Sequence, residues 1–131
     1  MSAAPQPLEE RIRVLVVDDE HLFVEMVEAM LAADPRIDVV AHAYDGREAV
    51  DKALALDPDL TLMDIAMPHM DGIQAIAEIR ASNPHARILV LTGGNNPADI
   101  DEARKAGAAA YLTKDRIATE LLPAIRDLGG G

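Results

Sequence analysis

The stretch that decides the fold is Val14-Leu15-Val16-Val17-Asp18-Asp19, an apolar, β-branched run that ends on two aspartates. Such a run is typical of a strand that is buried on both faces of a parallel sheet. Apolar residues recur at helical spacing directly after it, from Glu20 to Ala33. A strand followed by a helix indicates a parallel α/β unit, so the two aspartates are expected at the carboxyl edge of a sheet.

Three later apolar runs end on polar residues in the same way. These residues are Asp64 after residues 60–63, Thr92 after residues 88–91, and Lys114 shortly after residues 109–112. Because ligands of open α/β sheets bind outside the carboxyl ends of the strands, the polar side chains should gather at one edge. Carboxylates, a hydroxyl and an ammonium at one point indicate a site for a divalent metal and a phosphoryl group.

Strands and helices alternate five times along the chain, which predicts a parallel sheet covered by helices on both faces. The predicted strands are residues 11–17, 37–43, 60–63, 88–91 and 109–112. The predicted helices are residues 20–33, a helix between the turns at 45–46 and 57–58, residues 73–80, residues 97–106 and a short last helix. No sequence repeat and no second domain are indicated.

The last helix contains Pro123, which would lose a backbone hydrogen bond and clash with the carbonyl four residues earlier. That cost is small if Thr119 is the N-cap, because the carbonyl then lies at the edge of the helix. We therefore predict a short final helix over about Glu120 to Leu128, with Gly129 just beyond it.

Composition excludes several classes of protein. The 131 residues carry a formal net charge of -11, which argues against direct binding of nucleic acid. Cysteine is absent, so disulfides, thiolate catalysis and cysteine-ligated zinc are excluded. Residues 1–10 lack the apolar core of a signal peptide, and no apolar run is long enough to cross a bilayer. We expect a cytoplasmic protein that does not bind membranes.

The chain resembles the receiver domains of bacterial two-component response regulators over about residues 12–127. The matching segments are Val16-Val17-Asp18-Asp19-Glu20, Leu62-Met63-Asp64-Ile65-Ala66-Met67-Pro68-His69-Met70-Asp71-Gly72, Leu91-Thr92-Gly93, and Ala110-Tyr111-Leu112-Thr113-Lys114-Asp115. Each segment alone is a weak signal, whereas four in order, each at a strand end, are a strong one. The resemblance implies a single flavodoxin-like (βα)5 domain with five parallel strands in the order 2-1-3-4-5.

The resemblance also implies a magnesium site. Asp19 and Asp64 would ligate Mg²⁺ directly, with Asp18 nearby and acting through water. The backbone carbonyl of Ala66 would supply a further ligand. All of these donors are oxygens, and Mg²⁺ commonly takes one or two carboxylates together with waters and a substrate phosphate.

The remaining roles implied by the resemblance concern the phosphoryl group. Asp64 is similar to the family's phosphoacceptor, a carboxylate that attacks phosphorus and becomes an acyl phosphate. Lys114 would pair with the phosphoryl oxygens, and Thr92 would donate its hydroxyl to the new phosphoryl group. Thr92 and Tyr111 together would form the switch, which changes the surface of the fourth helix, fifth strand and fifth helix.

Three other classes of protein fit the sequence less well. A nucleotide-binding enzyme would need a glycine-rich loop after the first strand, where this chain has Asp18-Asp19-Glu20-His21. A phosphatase with an aspartate nucleophile would place its nucleophile and acid two residues apart after that strand, with a following threonine that is absent here. A receiver-like interaction module that works without phosphorylation would be expected to lack an acid or the lysine, and this chain has them all.

Within the family, the segments around Lys114-Asp115 and residues 121–126 resemble regulators of the NarL/LuxR type, which usually continue into a DNA-binding domain. We predict a flexible tail at residues 1–10, a receiver domain at residues 11–128 and the start of a linker at 129–131. The expected partner is a sensor histidine kinase, with homodimers after phosphorylation and no direct contact with nucleic acid. The domain would not be an enzyme beyond catalysing its own phosphorylation and dephosphorylation, and it would serve transcription regulation.

Overall fold

In the computed structural model, residues 11–65, 72–94 and 97–129 are described. They form a five-stranded parallel sheet in the order β2-β1-β3-β4-β5. Its strands are β1 (Ile12–Val17), β2 (Ile37–Ala43), β3 (Leu60–Asp64), β4 (Ile88–Thr92) and β5 (Ala110–Thr113). The helices are α1 (His21–Ala32), α2 (Gly46–Leu56), α3 (Gly72–Ser82), α4 (Pro97–Ala106) and α5 (Ile117–Gly129). The predicted fold and strand order are confirmed. No helix in the described ranges is long and apolar enough to span a membrane.

The sheet has an apolar core on each face, because successive side chains of a strand point to opposite sides. On one face, Val14 and Val16 pack with the apolar sides of α1 and α5. On the other, Leu15 and Val17 pack with α2, α3 and α4. The central strands are therefore covered on both sides, which explains their continuous apolar sequence. Both cores hold their strands rigidly, so the residues that follow the strands start from fixed positions.

The prediction for the last helix was wrong at its start. Helix α5 begins at Ile117, after a single 3-10 turn at Lys114–Arg116, and Thr119 is inside it rather than its N-cap. Ile117, Leu121 and Ile125 are all buried and lie at intervals of four residues, on one side of the helix. Because α5 begins at Ile117, this residue joins the buried apolar side, which stabilises the earlier start. Pro123 lies on the exposed side of the helix. Burial thus outweighs the hydrogen bond that the proline removes, and the helix also extends to Gly129 instead of ending before it.

Candidate functional site

The register of the sheet puts the polar residues at the strand ends beside one another. Val17 pairs with Met63, so Asp18 and Asp64 are the next residues on neighbouring strands. Asp64 pairs with Leu91, which places Thr92 one residue further along β4. The order of the strands reverses between β1 and β3, and this is the crevice where parallel sheets bind ligands.

Three carboxylates converge in this crevice. Asp18, Asp19 and Asp64 each offer one oxygen, and these three oxygens all lie within 4.8 Å of one another. Asp18 and Asp64 are buried, whereas Asp19 is exposed at the rim. Mutual repulsion of the carboxylates makes such a group unfavourable unless cations offset it. The cluster that the sequence predicted is therefore present and needs positive charge.

Lys114 supplies part of that charge. Its Nζ atom is 2.7 Å from Oδ2 of Asp18, 3.8 Å from Oε1 of Glu20 and 3.9 Å from Oδ2 of Asp64. Burial is the largest single influence on the pKa of Lys114 and lowers it, but the hydrogen bond from Lys114 to Asp18 and the charges of the three carboxylates together outweigh burial. The pKa of Lys114 is therefore raised above its ordinary 10.5, and the amine is held in its charged form.

Both oxygens of Asp18 already accept hydrogen bonds from the protein. Oδ2 accepts from Lys114, and Oδ1 accepts from the backbone N–H of Glu20, 2.9 Å away at the start of α1. The carboxylate is thereby oriented on both sides. Its remaining lone pairs can reach a metal directly or through water, while Asp19 and Asp64 turn an oxygen each toward the same point.

The oxygens present fit a magnesium ion. In octahedral coordination at about 2.1 Å, ligand oxygens lie at most about 4.2 Å apart. The three carboxylate oxygens lie within 4.8 Å of one another. Shifts below about 1 Å would bring them to octahedral separations, and an exposed side chain such as Asp19 is free to move that far. The donors are carboxylates only, which suits a hard cation. Ala66, predicted to add a backbone carbonyl, lies outside the described residues.

Thr92 is at the site but turned toward its own loop. Its hydroxyl donates to the carbonyl of Gly94 at 2.9 Å, and the side chain is buried at the end of β4. No Cβ at Gly93 or Gly94 would meet an atom within 4 Å, so open space lies beside this loop. The hydroxyl therefore has a local partner that a better acceptor could replace.

Tyr111 is the second predicted switch residue, and its side chain faces outward. It is 38% exposed, and the guanidinium carbon of Arg104 on α4 lies 5.3 Å from the centre of its ring. A cleft of about 560 Å³ lies beside it, lined in part by Gly93, Gly94 and Arg116. Tyr111 therefore lies in an outward position, beside open space that is also lined by the loop following Thr92.

Sequence reasoning missed two residues that shape the site. Phe23 lies in the stretch predicted as the first helix, and its ring centre is 4.2 Å from Nζ of Lys114. Gly72 starts α3 so close to β3 that a Cβ there would lie 2.3 Å from the carbonyl oxygen of Asp64. The sequence carried a signal for Phe23, because it is the one phenylalanine in the chain. The contact made by Gly72 depends on tertiary packing.

Known proteins share this sequence pattern over most of the chain. A family model described as the response regulator receiver domain matches residues 14–126. A probable transcriptional regulatory protein NarL of Mycobacterium tuberculosis is 39% identical over 127 residues, covering 97% of this chain and 58% of that protein. A protein-glutamate methylesterase/protein-glutamine glutaminase of Geobacter metallireducens is 47% identical over 109 residues, covering 82% of this chain and 30% of that protein. The chain thus spans 58% of the length of the first relative and 30% of the length of the second.

Solved structures of response regulator domains have the same fold as this chain. The receiver domain of the putative response regulator NarL from Mycobacterium tuberculosis superposes with a TM-score of 0.88 at 38% identity, covering 93% of this chain and 98% of that one. The response regulator domain of CheB from Thermotoga maritima gives 0.86 at 34% identity, covering 92% and 98%. These relatives confirm the predicted resemblance to the NarL type. The chain belongs to the response regulator receiver domain family of two-component signalling.

Proposed function

We propose that this domain accepts a phosphoryl group on Asp64 from a sensor histidine kinase. The observation that carries the proposal is the position of Lys114, whose Nζ lies 3.9 Å from Asp64 beside three convergent carboxylates. A buried carboxylate at the bottom of an acidic crevice attracts a cation, and a neighbouring ammonium can pair with phosphoryl oxygens. Membership of the receiver family supports the same assignment.

The reaction is a displacement at phosphorus. An oxygen of Asp64 forms a bond to phosphorus while the bond between phosphorus and the imidazole nitrogen of a kinase phosphohistidine breaks. The electron pair of the broken bond stays on that nitrogen, which takes a proton from water. The kinase histidine is thereby released as neutral imidazole. Lys114 shifts toward the transferred oxygens and neutralises their charge. Later attack of water on phosphorus returns the carboxylate and inorganic phosphate.

The acidic cluster is proposed to hold Mg²⁺ for this reaction, with Asp19 and Asp64 as direct ligands and Asp18 through water. When bound, Mg²⁺ neutralises the phosphoryl oxygens as a hard Lewis acid. Asp18 keeps its orientation through the backbone N–H of Glu20, so the acidic side of the crevice stays in place during transfer. Ala66 is proposed to add its backbone carbonyl.

The switch is proposed to run from Thr92 to Tyr111. A phosphoryl group on Asp64 offers the hydroxyl of Thr92 a charged acceptor, in place of the neutral carbonyl of Gly94 that it now uses. The movement of Thr92 vacates space beside β4, and Tyr111 turns inward to fill it. Helix α4 buries only Ile100 and Ala103, so the surface formed by α4, β5 and α5 is easily displaced. A second copy of the chain would dock on this surface after phosphorylation.

The wider setting is proposed from the relatives. The domain is proposed to span residues 11–128 of a cytoplasmic regulator; Gly129, predicted to begin the linker, belongs to α5, and residues 1–10 and 130–131 lie outside the described residues. Relatives named as transcriptional regulators are longer than this chain, so an output domain would act on transcription while the receiver domain itself makes no contact with DNA. The net charge of -11 supports the proposal that the receiver domain itself does not bind DNA.

Phosphorylation by a small-molecule donor tests the proposal directly. Incubation with acetyl phosphate and Mg²⁺ should add one phosphoryl group by intact mass, and the group should be lost in alkaline hydroxylamine, which cleaves acyl phosphates. The same incubation without Mg²⁺, or with the Asp64→Asn variant, should give none. Asp59→Asn, which changes an aspartate at the opposite end of β3, is the matched control and should be phosphorylated like the wild type. Equal labelling of Asp64→Asn would refute the acceptor assignment.

A further inference from the structure

Helix α1 contacts the lysine at the site through two side chains. Glu20 is the N-cap residue of α1, with an extended backbone, and Phe23 lies in the first turn of the helix. Oε1 of Glu20 is 3.8 Å from Nζ of Lys114, and the ring centre of Phe23 is 4.2 Å from that atom. The ring lies well inside the distance at which an ammonium is attracted to the face of an aromatic ring, about 6 Å. Lys114 therefore rests against α1 as well as against the carboxylates.

We infer that Phe23 is a positioning residue for Lys114, which keeps the ammonium beside Asp64 by a cation–π contact. The inference rests on the proposed phosphoryl transfer and adds a residue to it. Composition strengthens the inference, because aromatic residues make up only 2% of the chain and Phe23 is its sole phenylalanine. That one ring lies against the lysine of the site and also packs on the edge of the core beneath α1.

The geometry shows why a lysine here needs such a contact. Four flexible carbons separate the ammonium from the backbone, and besides Asp18, which it contacts at 2.7 Å, the ammonium has two more distant acidic partners that compete for it. Glu20 is 71% exposed and would draw the ammonium out of the crevice, while Asp64 is 6% exposed and lies inside it. The half-buried ring of Phe23 covers one side of the ammonium and makes the outward position less favourable. Lys114 stays where phosphoryl transfer would use it.

A ring also suits a group that has to move. When Lys114 exchanges Asp18 for the phosphoryl oxygens, a hydrogen-bond acceptor at the position of Phe23 would compete for the ammonium. Attraction to the face of a ring is less directional than a hydrogen bond and leaves the N–H donors of the ammonium free for oxygen acceptors. Phe23 therefore lets the ammonium slide from Asp18 toward Asp64 while keeping it out of solvent.

The test is the rate of phosphorylation by acetyl phosphate at saturating Mg²⁺. Phe23→Leu keeps an apolar side chain and removes the ring, and it should slow phosphorylation roughly threefold to tenfold. Phe23→Trp and Phe23→Tyr should restore most of the rate. Met30→Ala is the matched control, because Met30 is also a half-buried α1 residue on the same core and lies two turns further along the helix than Phe23. It should lower stability and leave the rate unchanged.

A graded series separates the electrostatics of the ring from its bulk. Phenylalanine analogues with one, two and three ring fluorines, built in at position 23, weaken the negative face of the ring while nearly keeping its shape. The logarithm of the rate should fall steadily with fluorine number. A flat series, or a Phe23→Leu variant as fast as wild type, would overturn the inference while Asp64 is still phosphorylated. If the wild type itself takes up no phosphoryl group, the proposed function has failed instead.

Discussion

The ammonium of Lys114 is bonded to Asp18, at 2.7 Å, and not to the proposed acceptor Asp64, which is 3.9 Å away. Asp18 is almost completely buried, and its carboxylate is hydrogen-bonded to this lysine and to the backbone N–H of Glu20. In the unphosphorylated domain, Lys114 stabilises the fold through its ion pair with Asp18 and lies close to the carboxylate of Asp64. The same side chain thus has a structural role before phosphorylation and a chemical role during it.

Removal of the ammonium should therefore cost stability as well as phosphorylation. Lys114→Met leaves Asp18 buried without its ion pair, and the free energy of unfolding should fall by about 1 to 3 kcal/mol. Lys105→Met is the matched control, since Lys105 pairs with Asp101 on the exposed side of α4. Its effect should be below about 0.5 kcal/mol. Urea unfolding at neutral pH measures both, and equal losses would show that Asp18 does not depend on Lys114.

The metal-free domain should be stabilised by removing one carboxylate other than Asp18. Asp19→Asn and Asp64→Asn relieve repulsion among oxygens within 4.8 Å, and Lys114 offsets only part of that repulsion. Each should raise the melting temperature without Mg²⁺ by a few degrees, for a gain of about 1 kcal/mol. Mg²⁺ should stabilise the wild type progressively above its Kd, because it binds the folded arrangement, and much less in either variant.

Thermal melts at low salt, with and without Mg²⁺, check this prediction. Glu102→Gln, an exposed charge change on α4, is the control for net charge alone and should keep the full Mg²⁺ response. If both aspartate variants destabilise the metal-free domain and still respond to Mg²⁺, then Asp19 and Asp64 do not form the metal site.

The sequence was sufficient to predict which polar residues lie at one edge of the sheet. Asp18, Asp64 and Thr92 follow strands whose burial makes their apolar runs easy to recognise, and parallel topology brings the ends of such strands to one edge. The contacts among them were not predictable in the same way. Whether Lys114 bonds to Asp18 or to Asp64 depends on where α1 places Glu20 and Phe23, which is a matter of tertiary packing.

The last helix shows the opposite case, in which a local rule was outweighed. Pro123 favours a late helix start, and Thr119 is a reasonable N-cap by sequence. Burial of Ile117 in line with Leu121 and Ile125 favours an earlier start, and this gain appears only when α5 packs on the sheet. Local preferences predicted that a helix exists, while packing set its first residue.

Acid should weaken the junction between α1 and α5. The carboxylate of Asp34 accepts hydrogen bonds from the guanidinium and backbone N–H of Arg36 and lies 3.4 Å from Nε of Arg126. The hydrogen bond from the Arg36 side chain is the main cause that holds the pKa of Asp34 at about 2, below its ordinary 3.8. Because the unfolded chain binds this proton more readily, the stabilisation is present above about pH 4 and is lost as pH falls toward 2.

The Asp34→Asn variant isolates that contribution. The arginines are about half exposed, so solvent screening leaves roughly 1 kcal/mol, which the variant should lose at pH 6. The difference in unfolding free energy between wild type and variant should shrink as the pH is lowered from 4 to 2. Leu54→Ala, an exposed change without a titrating group, should differ from wild type by a constant amount. A constant difference for Asp34→Asn would reject the pH assignment.

Phosphorylation should bury Tyr111, which is now 38% exposed. The chain has two tyrosines and no tryptophan, so Tyr44→Phe leaves Tyr111 as the only fluorescent reporter. Acrylamide quenching of that reporter should decrease when beryllofluoride and Mg²⁺ are added, and amide shifts should concentrate in residues 92–115. In the reverse variant, Tyr111→Phe, quenching of Tyr44 should stay the same. Unchanged quenching of Tyr111, with shifts confined to the acidic cluster, would reject the switch.

A single methyl group at the start of α3 should disturb the acceptor strand. A Cβ at Gly72 would lie 2.3 Å from the carbonyl oxygen of Asp64 and 2.5 Å from the Cα of Ile65, and both atoms belong to backbone that cannot rotate away. The N–H of Gly72 also donates to the carbonyl of Ile65 at 3.2 Å, so helix and strand are joined at this point. Gly72→Ala therefore has to push α3 away from β3 or move Asp64 itself.

The expected result is a loss of about 2 kcal/mol or more in unfolding stability, because overpacking against fixed backbone is costly. The fraction that remains folded should also be phosphorylated more slowly than wild type, since the Asp64 carboxylate shifts relative to Lys114. Gly93→Ala is the matched control, for the Cβ there would meet nothing within 4 Å, and its stability should stay within about 0.5 kcal/mol of wild type. Urea unfolding and phosphorylation rates of the two variants give the comparison. If Gly72→Ala is as stable and as quickly phosphorylated as Gly93→Ala, the close approach of α3 does not hold Asp64 in place.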